Sequence, residues 1–182
     1  MQAIIAVLRG VTRLNEFIGR WVALLILVIF VLLIAEIGFR YVLGAPMVWT
    51  GELTQMVFGV YAVLSGGYIL AHGGHVNVDL IYTRFSTRTK AIIDILTSVI
   101  FFLFIGALLY FGSSLAYDSM EFWERSQSAW NPPIWPVKLM IPVGAFLILL
   151  QGIVKLARDI CVALDSSLAN EFQVEGISGE HH

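Results

Sequence analysis

The sequence has the composition of an integral membrane protein. Of its 182 residues, 58% are hydrophobic and only 13% are charged, about half the charged share of a soluble domain. The formal net charge of -2 leaves no basic field, which excludes nucleic acid as a partner. The single cysteine, Cys161, excludes an intramolecular disulfide and a thiolate metal cluster.

The first 20 residues combine apolar side chains near helical spacing with three arginines. This pattern is typical of an amphipathic helix that lies in the membrane interface. It also suits the cytoplasmic beginning of the first membrane span, so two interpretations stay open. The arginines are Arg9, Arg13 and Arg20.

Four long apolar runs predict an all-α integral membrane protein, since crossing a bilayer takes about 20 residues. We expect one transmembrane domain over residues 1–164. Residues 165–182 are acidic and poor in large apolar side chains, which predicts a mobile cytoplasmic tail. The predicted spans are residues 21–43, 49–70, 91–117 and 135–157.

Lysines and arginines concentrate on one side of these spans, and this bias sets the orientation of a membrane protein. The N-terminal segment has three, the 72–90 loop has three, and the C-terminal end has two. The opposite side has only Arg125 and Lys138, with Arg40 near the membrane edge. Both termini are therefore predicted to be cytoplasmic.

The turn between the first two spans carries charges in an otherwise apolar region. Glu36 and Arg40 stand four apart, an acid-before-base spacing that allows an ion pair. Glu52 falls in the first turn of the next span, where its charge suits the helix dipole, and Arg40 is predicted to reach it. These charges either form a structural clasp between two spans or mark an ion- or proton-coupled carboxylate in a transport path.

The 72–90 loop contains a second polar motif, centred on His75, Asn77 and Asp79. The spacing of its histidines and aspartate does not match a zinc site, and no second histidine lies in a span to ligate haem. We expect no metal and no cofactor. The basic residues that follow are predicted to meet anionic lipid headgroups. Neither polar loop contains a catalytic constellation, so the chain is not predicted to be an enzyme.

A set of short motifs runs in order through the predicted spans. They are Arg40-Tyr41, Trp49-x-x-Glu52-Leu53, Gly74-His75-Val76-Asn77-Val78-Asp79, Pro133-x-x-Pro136-Val137-Lys138, Ile141-Pro142-Val143-Gly144 and Leu150-Gln151-Gly152. This order resembles the small membrane subunit of tripartite ATP-independent periplasmic (TRAP) transporters over residues 21–158. The last three motifs are most similar to the branch associated with mannitol and chloroaromatic acids, in which a basic residue is mostly expected at Asn77.

The resemblance implies a bacterial inner-membrane protein that does not itself bind solute. A large membrane subunit would carry the solute, typically an organic acid, coupled to sodium entry. A soluble periplasmic protein would deliver it. The small subunit would pack on the scaffold of the large one and help to dock the periplasmic protein. By position, the docking candidates are Trp49, Asp118, Glu121 and Glu124.

Two other classes compete with this interpretation. The first is an autonomous four-span exporter, working as a dimer with Glu36 as the proton-coupling carboxylate. Arg40 argues against it, because a cation one turn away holds a carboxylate ionised. The second is a membrane enzyme or electron-transfer subunit, for which the sequence offers no cofactor ligands.

Overall fold

The computed structural model describes residues 2–72 and 87–164. Over these ranges the chain is built from helices joined by turns and one irregular loop. The elements are α1 (Gln2–Ala23), α2 (Leu25–Ile37), a π-helical turn (Gly38–Val42), α3 (Thr50–Ala71), α4 (Thr87–Glu121) and α5 (Trp135–Ala163). The motif at His75, Asn77 and Asp79 and the predicted tail at 165–182 lie outside the described residues.

Within the described ranges, four helical stretches are long and apolar enough to cross a membrane. This confirms the predicted all-α fold with four spans. The stretches are Ala6–Val42, Thr50–Ala71, Arg88–Glu121 and Trp135–Ala163. The first is longer than predicted, because α1 and α2 follow each other with only a turn at Leu24 between them. Helix α5 begins at Trp135 and continues through Pro142.

Helix α1 packs against α3 and α5, so the predicted N-terminal helix is present. Leu8 and Val154 form a buried apolar contact that Val11, Ala157 and Cys161 extend. The arginine-bearing helix thereby lies along the second half of α5. Its location in the membrane interface stays a prediction.

A buried amide pair joins α1 to α5 about two turns after Leu8. Asn15 is 1% exposed and its Nδ2 donates to Oε1 of Gln151 at 3.2 Å. Gln151 Nε2 in turn donates to the hydroxyl of Thr12 at 3.5 Å. Asn15 also rests directly on Gly67 of α3, where any side chain would collide with its Oδ1. A buried amide is costly without a partner, so this pair defines where α1 crosses the bundle.

Glycines set the spacing between α5 and its neighbours. A Cβ on Gly144 would lie 2.7 Å from the backbone oxygen of Val63 in α3, and one on Gly66 would lie 2.6 Å from Ile148. On the α4 side, Gly152 meets the ring of Phe101. Membrane helices associate mainly by such close packing, because lipid supplies little hydrophobic drive between them.

The approach of Gly144 to the backbone of α3 gives a test of the fold. We expect Gly144→Ala to destabilise the purified chain by about 1–3 kcal/mol, since the added methyl meets backbone that cannot rotate away. The matched control is Gly106→Ala, because a Cβ on Gly106 has nothing within 4 Å. Alanine favours a helix over glycine by about 1 kcal/mol, so the control should match or exceed the original melting temperature. Equal melting temperatures for the two variants would contradict the close packing.

Candidate functional site

The sequence-predicted site residues that the structure describes gather at one end of the bundle. This end consists of residues 36–52 and 118–138 and is called the hairpin end below. The first span reaches it through the π-helical turn, in which the amide of Leu43 donates to the carbonyl of Gly38 at 3.2 Å. Gly44 then takes a positive φ of 62° that reverses the chain, a conformation that glycine adopts without steric cost.

Glu36 is the centre of a hydrogen-bonded group that crosses the hairpin. Its Oε1 accepts from the guanidinium of Arg40, with Nε at 2.9 Å. Its Oε2 accepts from the hydroxyl of Thr50, which is fully buried at the first residue of α3. The Glu36 side chain is 15% exposed and that of Arg40 is 50% exposed. The carboxylate therefore ties the first span to the second.

Glu52 has a different partner from the one expected. Its Oε2 accepts a hydrogen bond from the hydroxyl of Ser128 at 2.5 Å. Among the described residues, Arg40 forms its ion pair with Glu36, and none joins Arg40 to Glu52. The reason is angular: residues two apart on an α-helix point about 200° apart. Since Thr50 faces Glu36, Glu52 is turned away toward the loop.

The loop from 122 to 134 is folded over this end of the bundle. The amide of Ser126 donates to the carbonyl of Pro132 at 2.9 Å, and that of Ile134 donates to the carbonyl of Glu124 at 3.0 Å. Two tryptophan contacts hold the loop down. Trp130 lies 6.4 Å from Trp49, and Trp123 makes an edge contact with Trp135 at 5.5 Å.

The acidic docking candidates divide into two kinds. Glu124 is bound to α5, since Lys138 Nζ donates to its Oε2 at 2.5 Å. This hydrogen bond holds the pKa of the Glu124 carboxyl below its usual range. Asp118 and Glu121 are instead exposed on the last turns of α4.

Two large aromatic side chains stand beside these exposed acids. Phe122 is 78% exposed and Trp123 is 71% exposed. Together with Asp118 and Glu121 they form an acidic–aromatic rim. Exposed aromatics rimmed by charge are typical of surfaces that bind other proteins.

Most of the charged groups at the hairpin end join one part of the chain to another. Within the described residues, no group of three or more His, Cys, Asp or Glu side chains could hold a metal. The carboxylates of Glu36, Glu52 and Glu124 bond to cations and hydroxyls of the same chain. Sequence analysis missed Thr50, Ser128 and Lys138. Of these three, only Lys138 could have been suspected from the sequence, because it is a charged residue near the predicted start of the fourth span.

Comparison with known proteins agrees with this architecture. A family model described as "Tripartite ATP-independent periplasmic transporters, DctQ component" matches residues 29–162. No curated protein sequence matches the chain significantly. The matched range includes the last part of the first span, the whole of the second and third spans, and nearly all of the fourth. Because it covers well over half of the chain, this protein belongs to the DctQ family, the small membrane component of TRAP transporters.

Proposed function

We propose that this small TRAP component is a scaffold for the large, solute-carrying membrane subunit of a sodium-coupled importer. A periplasmic binding protein delivers the solute, an organic acid, to that subunit. The pairing of charges at the span ends carries the proposal. Glu36 bonds to Arg40 and Thr50, and Lys155 bonds to Asp94 at 3.1 Å. Transport carboxylates are placed to exchange an ion, whereas these hold helices together.

We further propose that the chain lies in the bacterial inner membrane with the hairpin end toward the periplasm. Contacts within the bundle support this orientation. Leu8 packs on Val154, so the arginine-bearing start of α1 lies at the same end as Lys155 and Arg158. Cytoplasmic ends of membrane proteins are enriched in such cations.

On this orientation, the acidic–aromatic rim faces the periplasmic binding protein. Asp118 and Glu121 are exposed there beside Phe122 and Trp123. A partner with basic side chains would be steered to such a surface by charge and would gain contact area from the rings. Trp49 belongs to the support of this surface, since it packs on Trp130 within the loop.

The exporter alternative requires Glu36 to exchange a proton. We expect the full chain alone, in liposomes carrying an inward proton gradient and ethidium as the reporter cation, to show no more efflux than protein-free vesicles. Ethidium efflux that is driven by the gradient and abolished by Glu36→Gln would replace the scaffold proposal with the exporter.

The scaffold role predicts an assembly defect when the hairpin group is broken. We expect Thr50→Val and Arg40→Ala each to reduce recovery of the complex with the large subunit by severalfold, because each leaves the mostly buried Glu36 carboxylate without one of its partners. Glu52→Ala should also reduce recovery, because it releases Ser128 and with it the loop from 122 to 134. The measurement is copurification after co-expression, with solute affinity determined on the complex that remains.

The matched control for that experiment is Thr54→Val. The Thr54 hydroxyl donates to the carbonyl of Thr50 in its own helix, at 2.8 Å, so its loss should leave assembly near the original level. Normal recovery of the Thr50, Arg40 and Glu52 variants combined with lost solute binding would contradict the scaffold role.

The rim predicts a docking defect that is separate from folding. We expect Asp118→Lys with Glu121→Lys to lower transport about tenfold at limiting binding protein, and less at saturation, because rim charges act mainly on association. The control is the exchange Glu124→Lys with Lys138→Glu, which preserves the loop ion pair and net charge. Unchanged transport by the rim variant at limiting binding protein would refute docking through these acids.

A further inference from the structure

A cavity of about 200 Å³ lies between α3, α4 and α5, at the end of the bundle away from the hairpin. It takes no part in the contacts of the hairpin end. Pockets for drug-sized ligands run from about 300 to 1,000 Å³, so this cavity suits a smaller chemical group. The scaffold role draws on the Lys155–Asp94 pair in the cavity wall but does not require the open space beside it.

The cavity changes from polar to apolar along the bundle axis. Asp94, Lys155 and Asp159 line one end, and Phe101 and Gly152 line the other. Seven residues separate Asp94 from Phe101 on α4, and seven separate Gly152 from Asp159 on α5. At a rise of 1.5 Å per residue, the lining extends over roughly 10 Å. This gradient matches the head and first carbons of an amphiphile.

The polar end offers both signs of charge at close range. Lys155 Nζ lies 3.1 Å from Oδ2 of Asp94 and 3.9 Å from Oδ2 of Asp159. Arg158 Nε lies 3.9 Å from the other oxygen of Asp159. The Lys155 side chain is 37% exposed and that of Asp159 is 7% exposed. Such a site suits a zwitterion better than an anion or a cation, because each charge of the ligand finds a partner.

The polar end also stands at the depth of lipid headgroups. Trp135 begins α5, and tryptophans favour the membrane–water interface. Lys155 follows 20 residues later, which is about 30 Å along a helix. That distance equals the thickness of the hydrocarbon core. Lys155 and Asp159 therefore reach the opposite headgroup layer.

We propose that this cavity binds one phosphatidylethanolamine molecule. Its primary ammonium donates hydrogen bonds to the carboxylate of Asp159, and its phosphate accepts from Lys155. The first acyl carbons run toward Phe101 and Gly152. A choline headgroup has no N–H donor for the carboxylate, and a glycerol headgroup brings only an anion, so the ethanolamine lipid is preferred over both.

The test is a lipid titration of the full chain in mild detergent, followed by native mass spectrometry. The probes are ethanolamine, choline and glycerol phospholipids with identical acyl chains. We expect the ethanolamine lipid to bind about tenfold more tightly than the other two, since a charge-assisted hydrogen bond is worth about that factor or more. Asp159→Asn and Lys155→Met should each remove the preference.

The matched control is Asp118→Asn, which makes the same charge change at the hairpin end and should keep the preference. Circular dichroism checks that each variant retains its helices. The comparison of the three lipids on the original chain stands even if a variant misfolds. Equal binding of all three lipids, tighter binding of the glycerol lipid, or a preference that survives both folded variants would overturn the proposal.

Discussion

The fold depends on how closely the helices approach α5. This helix contacts α1, α3 and α4, and at Gly144 and Gly152 a neighbouring side chain occupies the space where a Cβ would stand. In lipid the apolar surfaces of helices gain little by leaving the solvent, so contact area at short range supplies the association energy. Glycine permits this close approach because it has no Cβ, although it lowers the helix propensity relative to alanine.

At the hairpin end, charged side chains beside the bilayer are paired within the chain. Glu36 accepts hydrogen bonds from Arg40 on its own helix and from Thr50 on the next helix. The carboxylate is thereby bonded to both spans. The loop from 122 to 134 is attached to the helices by similar bonds. Lys138 of α5 donates to Glu124 in the loop, and Ser128 in the loop donates to Glu52 of α3. The exposed rim therefore stands on a base that side-chain hydrogen bonds hold in place.

The two ends of the bundle differ in what they offer. The hairpin end exposes acids and aromatic rings, whereas the far end encloses Lys155 and Asp159 around a small polar cavity. Under the proposed function the hairpin end docks a protein, and under the lipid proposal the far end binds a headgroup that carries both charges.

The sequence by itself determined the four spans, the all-helical fold and the family. Hydropathy and short motifs can be read directly from the order of residues along the chain. It also predicted the Glu36–Arg40 pair, whose partners lie one turn apart. Only the tertiary structure decided that Thr50 completes that group, that Ser128 takes Glu52, and that Asn15 reaches Gln151 across 136 positions. These contacts depend on the angle at which helices cross and on how a loop folds back. Both follow from packing between distant segments, which no spacing along the chain records.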